Sequence, residues 1–178
     1  MDRGTTFPLT IMTLLSLRVA LPSGDAAAQQ TPQKVSYKVG AENSKFTQQQ
    51  FLDVGDVPGH QVRSFEIHRT FPSDAPVING IKLKEIWTRG ISDYTNNTGA
   101  NTNYSEYVLE NGDKFYTRST TIAQGAGGGK LINSSAGTII GGTGKLSGIR
   151  GIIKASGSAD PKAGISETQN EIEYMIVK

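Results

Sequence analysis

From Lys45 onward the chain is a succession of short runs rich in Val, Ile, Thr, Phe and Tyr, each stopped by Gly, Pro, Asn or Asp. The runs are "KFTQQQFLDV", "HQVRSFEIHRTF", "IKLKEIWTRGISDYT", "NYSEYVLEN", "KFYTRSTTIA", "SAGTII", "GIRGIIKASG" and "TQNEIEYMIVK". β-branched and aromatic residues between turn formers predict strands. No window sustains a 3.6-residue apolar period, so long helices are not expected. Eight strands at short spacing in one all-β domain leave a sandwich or a closed antiparallel barrel. The 21 glycines favour the strong bending that barrel corners require. The clearest joint is Asn111-Gly112-Asp113, an Asn-Gly pair between "EYVLE" and "KFYTRS".

The expected β-domain spans residues 45–178, long enough for one core and too short for two. Residues 29–44 are polar with a single Pro and read as a linker. Ahead of them, Arg3, an apolar run from Leu9 to Leu21 and the pair Ala26 and Ala28 form a signal-peptide pattern over residues 1–28. Arg18 interrupts that run, which falls short of the ~18 apolar residues a membrane helix needs. The mature protein is therefore expected to be secreted or periplasmic and to begin near Gln29.

There are no cysteines, which removes thiol catalysis, cysteine metal sites and a disulfide framework. Two histidines, His60 and His68, are too few for a histidine-rich metal site. The net charge of +2 is spread along the chain and argues for neither nucleic acid nor an anionic membrane as partner. No metal or cofactor is expected.

Two Gly-Lys pairs invite comparison with a phosphate-binding loop. Such a loop needs Gly five residues before the Gly-Lys glycine, Ser or Thr after the Lys, and a long helix beyond. Around Gly144-Lys145 those positions hold Ile139 and Leu146, and around Gly129-Lys130 they hold Gln124 and Leu131. "LSGIRGII" cannot carry a long helix. Both loops are turns.

Alternation along two strands places charges beside apolar residues. Phe65, Ile67 and Phe71 share parity with Arg63 and Arg69; Leu83, Trp87 and Ile91 share it with Glu85 and Arg89. If those faces line a barrel, its interior holds arginines and a glutamate beside aromatics, which suits a ligand cavity better than a dry core. The alternative is a bulge that slips the parity and turns these charges to solvent. Trp87 is either a core anchor or a cavity wall, with Arg89 or Arg69 holding a ligand carboxylate. Tyr107 and Tyr116, on the hairpin partner strands, are further candidates for the wall.

"ISDYTNNTGANTNYSEYVLENGDKFYTR" followed by "AGTIIGGTGKLSGIRGII" resembles the bacterial branch of the allene oxide cyclase-like barrel family. The shared elements are Ser92-Asp93, the Asn96 to Gly99 loop, the Asn111 to Asp113 hairpin and the Gly141 to Gly151 segment, of which dirigent proteins carry a similar version. The resemblance covers roughly Gln61 to Gly157. It implies an eight-stranded, calycin-like antiparallel β-barrel, often a homo-oligomer, with a central cavity that accepts apolar ligands. It carries over no catalytic residue, because the match lies in turns and glycines.

Glu66 and His68 stand two apart on one strand face, where a carboxylate beside an imidazole can move protons; a solvated cross-strand pair is the plainer reading. Asp93, Glu110 and Asp113 sit at loop ends, where Asx-turns account for them. Asn96, Asn103 and Asn133 begin glycosylation sequons. Three functions remain: a barrel binding a small apolar or amphipathic ligand, an isomerase steering the cyclisation of an unstable epoxide, and a structural, self-associating barrel.

Overall fold

The polar stretch "QKVSYKV" is an alternating strand. The computed structural model describes Met1 and residues 31–177, so the expected signal peptide lies outside the described residues except for Met1. The chain enters as β1 (Gln33–Val39), with Tyr37 and Val39 buried. Lys34 and Lys38 face outward and pair with Glu173 at 3.2 Å and Glu167 at 3.9 Å. The polarity that reads as a linker is the solvent face of a strand, and the linker expectation is corrected over those residues.

A short 3₁₀ turn at Ala41–Asn43 leads to β2 (Ser44–Asp53), followed by β3 (His60–Thr70), the two-residue β4 (Val77–Ile78), β5 (Ile81–Thr95) and β6 (Thr98–Leu109). The remaining strands are β7 (Lys114–Gly127), β8 (Lys130–Gly142), β9 (Ile149–Asp160) and β10 (Ile165–Ile176). Every pairing is antiparallel, and the order is β1-β10-β2-β3-β5-β6-β7-β8-β9 with β4 on β5. The sheet closes into a ring through β10, which takes β9 on one edge, and β1 and the start of β2 on the other. Ten strands stand where eight were expected, β1 and β4 being the additions. No helix among the described residues is long and apolar enough to cross a membrane.

Asn111-Gly112 joins β6 to β7 as expected, with the Asp113 amide donating to Asn111 Oδ1 at 3.1 Å. The Gly144-Lys145 segment is a 3₁₀ turn between β8 and β9. Gly144 takes φ of 54° there, and a Cβ on it would strike the Asp113 carboxylate. The same carboxylate accepts from the Lys145 amide at 3.1 Å. Leu146 drops from this turn into one end of the ring, fully buried among Leu83, Leu109, Phe115 and Ile149. That end is an apolar plug, fastened by Tyr174, whose hydroxyl accepts from the Asn79 amide and donates to Gln33 Oε1, both at 2.7 Å. A smaller cluster of Tyr94, Ala123 and Leu131 stands toward the other end.

Candidate functional site: a polar cavity inside the ring

Between the two apolar clusters lies a cavity of about 110 Å³. Its aromatic wall comes from β2 and β3, where Phe46, Phe65 and Ile67 point inward. Gly90, opposite Phe65, leaves room for that ring: a Cβ there would lie 2.7 Å from Phe65 Cζ. The facing wall, from β6, β7 and β8, is polar. Asn101 donates to Tyr94 Oη at 2.8 Å, Asn103 to Asn101 Oδ1 at 2.8 Å, and Ser119 to Asn103 Oδ1 at 2.7 Å. Asn103 therefore sits inside the ring, buried, and its sequon is shut away in the folded protein.

The expected parity holds along β3. Arg63 and Arg69 line the cavity with Phe65 and Ile67. Along β5 it inverts, because the register with β6 shifts between Leu83 and Glu85, leaving Lys84 as an extra residue. Past that bulge Ile86, Thr88 and Tyr94 turn inward and line the cavity. Glu85, Trp87 and Arg89 stand on the outer face, so their assignment to a cavity wall is corrected. Tyr107 lines the cavity, as expected. Tyr116 does not: Phe115 and Thr117, its neighbours on β7, take the inward positions and are fully buried.

The outer-face residues form their own ladder. His68 stacks on Trp87 and hydrogen-bonds Glu85 Oε2 at 2.9 Å. Glu66 accepts instead from Thr47 and from Arg89 Nε, both at 2.7 Å, and Arg89 lies over the Trp87 ring at 5.7 Å. The Thr47 hydroxyl first, and Arg89 with it, hold the Glu66 carboxyl below its ordinary range. Glu66 and His68 do not pair with each other; each takes a cross-strand partner on a solvated face, the plainer of the two readings.

Neither interior arginine is in an ion pair among the described residues. Arg63 donates from Nη1 to Gln49 Oε1 at 3.1 Å and packs between aromatic rings, with Phe65 at 5.1 Å and Phe46 at 5.2 Å. Arg69 donates from Nη1 to Thr88 Oγ1 at 2.9 Å, and Thr88 is linked in turn to Ser105 at 2.8 Å. Burial lowers the pKa of both guanidiniums, yet arginine keeps its charge at any ordinary pH. Burial also pushes the Tyr37 and Tyr107 phenols up, Tyr37 well above its ordinary value, so both stay neutral beside Arg69.

One further cluster carried no sequence signal. At the start of β3, His60 bridges two carboxylates, Nδ1 to Asp56 Oδ1 at 2.6 Å and Nε2 to Asp93 Oδ1 at 2.7 Å. Asp93, expected as a turn-former, is a partner across β3 and β5. Asp56 lies four residues from His60 in the chain, but Asp93 reaches them only through the β3–β5 register, which a one-dimensional reading does not supply. Among the described residues no group of three or more His, Cys, Asp and Glu is placed to hold a metal ion.

Compared with models of protein families, with curated proteins and with solved structures, the chain gives no match.

Proposed function

We propose that the protein is a hollow binding barrel that takes a small amphipathic ligand into the ring. The observation that carries this reading is the interior: a cavity with one aromatic wall, one hydrogen-bonded polar wall and two arginines that are in no ion pair among the described residues. A ring that served only as a structural element would gain more from continuing its apolar plug along the whole axis, because buried unpaired charge is costly. Binding is favoured over catalysis, because the His–carboxylate pairs of the described residues stand outside the cavity. In this reading β1 and β2 count as one interrupted strand and β4 as an appendage, which makes the ring an eight-position barrel of the allene oxide cyclase-like kind. Residues 1–28 are read as a cleaved signal peptide; protein isolated from its host should begin near Gln29, and retention of Met1 would refute export.

The cavity is of the same order as the ~150 Å³ pocket that holds one benzene. A neutral probe of that size, benzyl alcohol, titrated into isotope-labelled protein should shift amide resonances of β3, β5 and β6. Ser135→Phe, which fills the cavity from β8, should abolish those shifts. No shifts with this probe or with its acid counterpart benzoate, or shifts that survive the filled cavity, would reject the reading.

A further inference from the structure

The buried donors that lack a partner say what the ligand must bring. The amides and hydroxyls of the polar wall satisfy one another, so they make no demand. Among the described residues five buried polar side-chain atoms have no hydrogen-bond partner, and three of them belong to residues lining the cavity: Arg63 Nε, Arg69 Nε and Tyr37 Oη, which lies near the Tyr107 hydroxyl but outside hydrogen-bond geometry. All three can donate, and two carry positive charge. Buried groups left unpaired cost free energy unless something from outside meets them.

The two arginines are not equivalent. Arg63 has the Gln49 carbonyl, and its positive face is met by a cage of four aromatic rings, Phe46, Phe51, Phe65 and Tyr94. Arg69 has only hydroxyls, Thr88 at 2.9 Å and a long contact to Ser166 at 3.5 Å. A hydroxyl lone pair does not offset a full charge. The phenols next to Arg69 are held neutral by burial, so they supply none either. Glu85, which could have met the guanidinium, is turned outward by the Lys84 bulge and is bonded to His68.

We propose that Arg69 and the Tyr37 hydroxyl form a carboxylate-receiving site, and that the ligand is a small organic acid whose apolar face lies on Phe65 and Ile67. This rests on the cavity reading and narrows it to an anionic class. A carboxylate can accept from Arg69 Nε and a terminal nitrogen together, and from Tyr37 Oη with a remaining lone pair. The long Ser166 contact is the one that yields. Its tail then lies along the aromatic wall, clear of the self-satisfied amides opposite.

The test is an isosteric pair, benzoate and benzyl alcohol, titrated calorimetrically into the full chain and into Arg69→Gln and Tyr37→Phe. Wild type should bind benzoate at least about tenfold more tightly than benzyl alcohol, the scale of one charge-assisted hydrogen bond. Arg69→Gln should lose most of that preference while binding the alcohol as wild type does. Tyr37→Phe, which keeps the ring, should lower the preference several-fold. If wild type shows no preference for the acid, or if the preference survives in Arg69→Gln, the carboxylate site is wrong while the cavity stands. If wild type binds neither probe, both fall. The wild-type comparison decides by itself should a variant fold poorly.

Discussion

His68 and Trp87 stack face to face on the outside of the ring, with centroids 3.9 Å apart and planes 11° from parallel. The stack joins β3 to β5 on the face opposite the cavity, since His68 and Trp87 are register partners. The single indole of the chain therefore reports on the outer ladder. Saturating the cavity with benzoate should leave Trp87 emission unchanged. His68→Ala should shift it to the red by uncovering one face of the indole to water. An emission change that follows ligand occupancy would place Trp87 in the cavity wall after all.

Removing the unmet charge should stabilise the empty protein. Arg69→Met keeps the bulk of the side chain and loses the guanidinium, together with its bonds to two hydroxyls. Arg69 is half-buried, so unfolding in denaturant, without ligand, should show a gain of about 1 kcal/mol over wild type, the low end of what exchanging buried charges for apolar groups of like volume brings. A loss of stability would mean that the guanidinium is met within the empty ring.

The His60 clamp should make the β2–β3 loop sensitive to pH. Hydrogen bonds to Asp93 and then Asp56 raise the His60 pKa above the ordinary 6.5, so its contribution is complete below about 6.5 and fades as pH rises through the raised value. Asp56 is shifted the other way, chiefly by His60, so its share is complete above its ordinary 3.8 and fades as pH falls through the lowered value. The clamp is tightest between those limits. Amide exchange at Val57 and His60, corrected for intrinsic rates, should be slowest in that window and quicken above it. His60→Gln should flatten the profile; an unaltered profile would rule out the clamp.

At the Gly-Lys turn the two residues should behave oppositely. Gly144→Val forces a side chain into positive φ and against Asp113, and thermal unfolding should show a loss of about 1–3 kcal/mol. Lys145→Ala keeps the backbone amide that bonds Asp113 and should change stability by no more than about 0.5 kcal/mol. ATP affinity that vanished on changing Lys145 would restore the phosphate reading.

What the sequence shows and hides divides along a physical line. Turn chemistry is local, so the Asn111-Gly112 hairpin and the Gly144 turn can be read from a few residues. Parity is local only while the ladder stays regular, which is why β3 reads correctly from Arg63 to Arg69. The bulge at Lys84 depends on what β6 offers across the register, Leu109 and Val108, and nothing in "LKEIW" marks which residue is extra. Tyr116 loses the inward place to Phe115 for a related reason: of two adjacent aromatics, period two admits one. β1 was hidden because lysines on a solvent face look like a linker until Tyr37 and Val39 are seen buried.

The way the ring shuts sets an order on its making. β10 borders β9, β1 and β2, and the bond from Tyr174 to Gln33 spans 141 positions. β1 pairs with β10 alone, so its partner emerges after the other eight strands described. Hairpins from β5 to β9 can zip as they appear, whereas closure waits for β10 and is expected to be the slow step. Until then the cavity has no walls to be measured by, and Arg69 is an ordinary hydrated arginine. Its partners Thr88 and Ser166 stand on β5 and β10, so the pocket around the guanidinium exists only once those two strands share one ring.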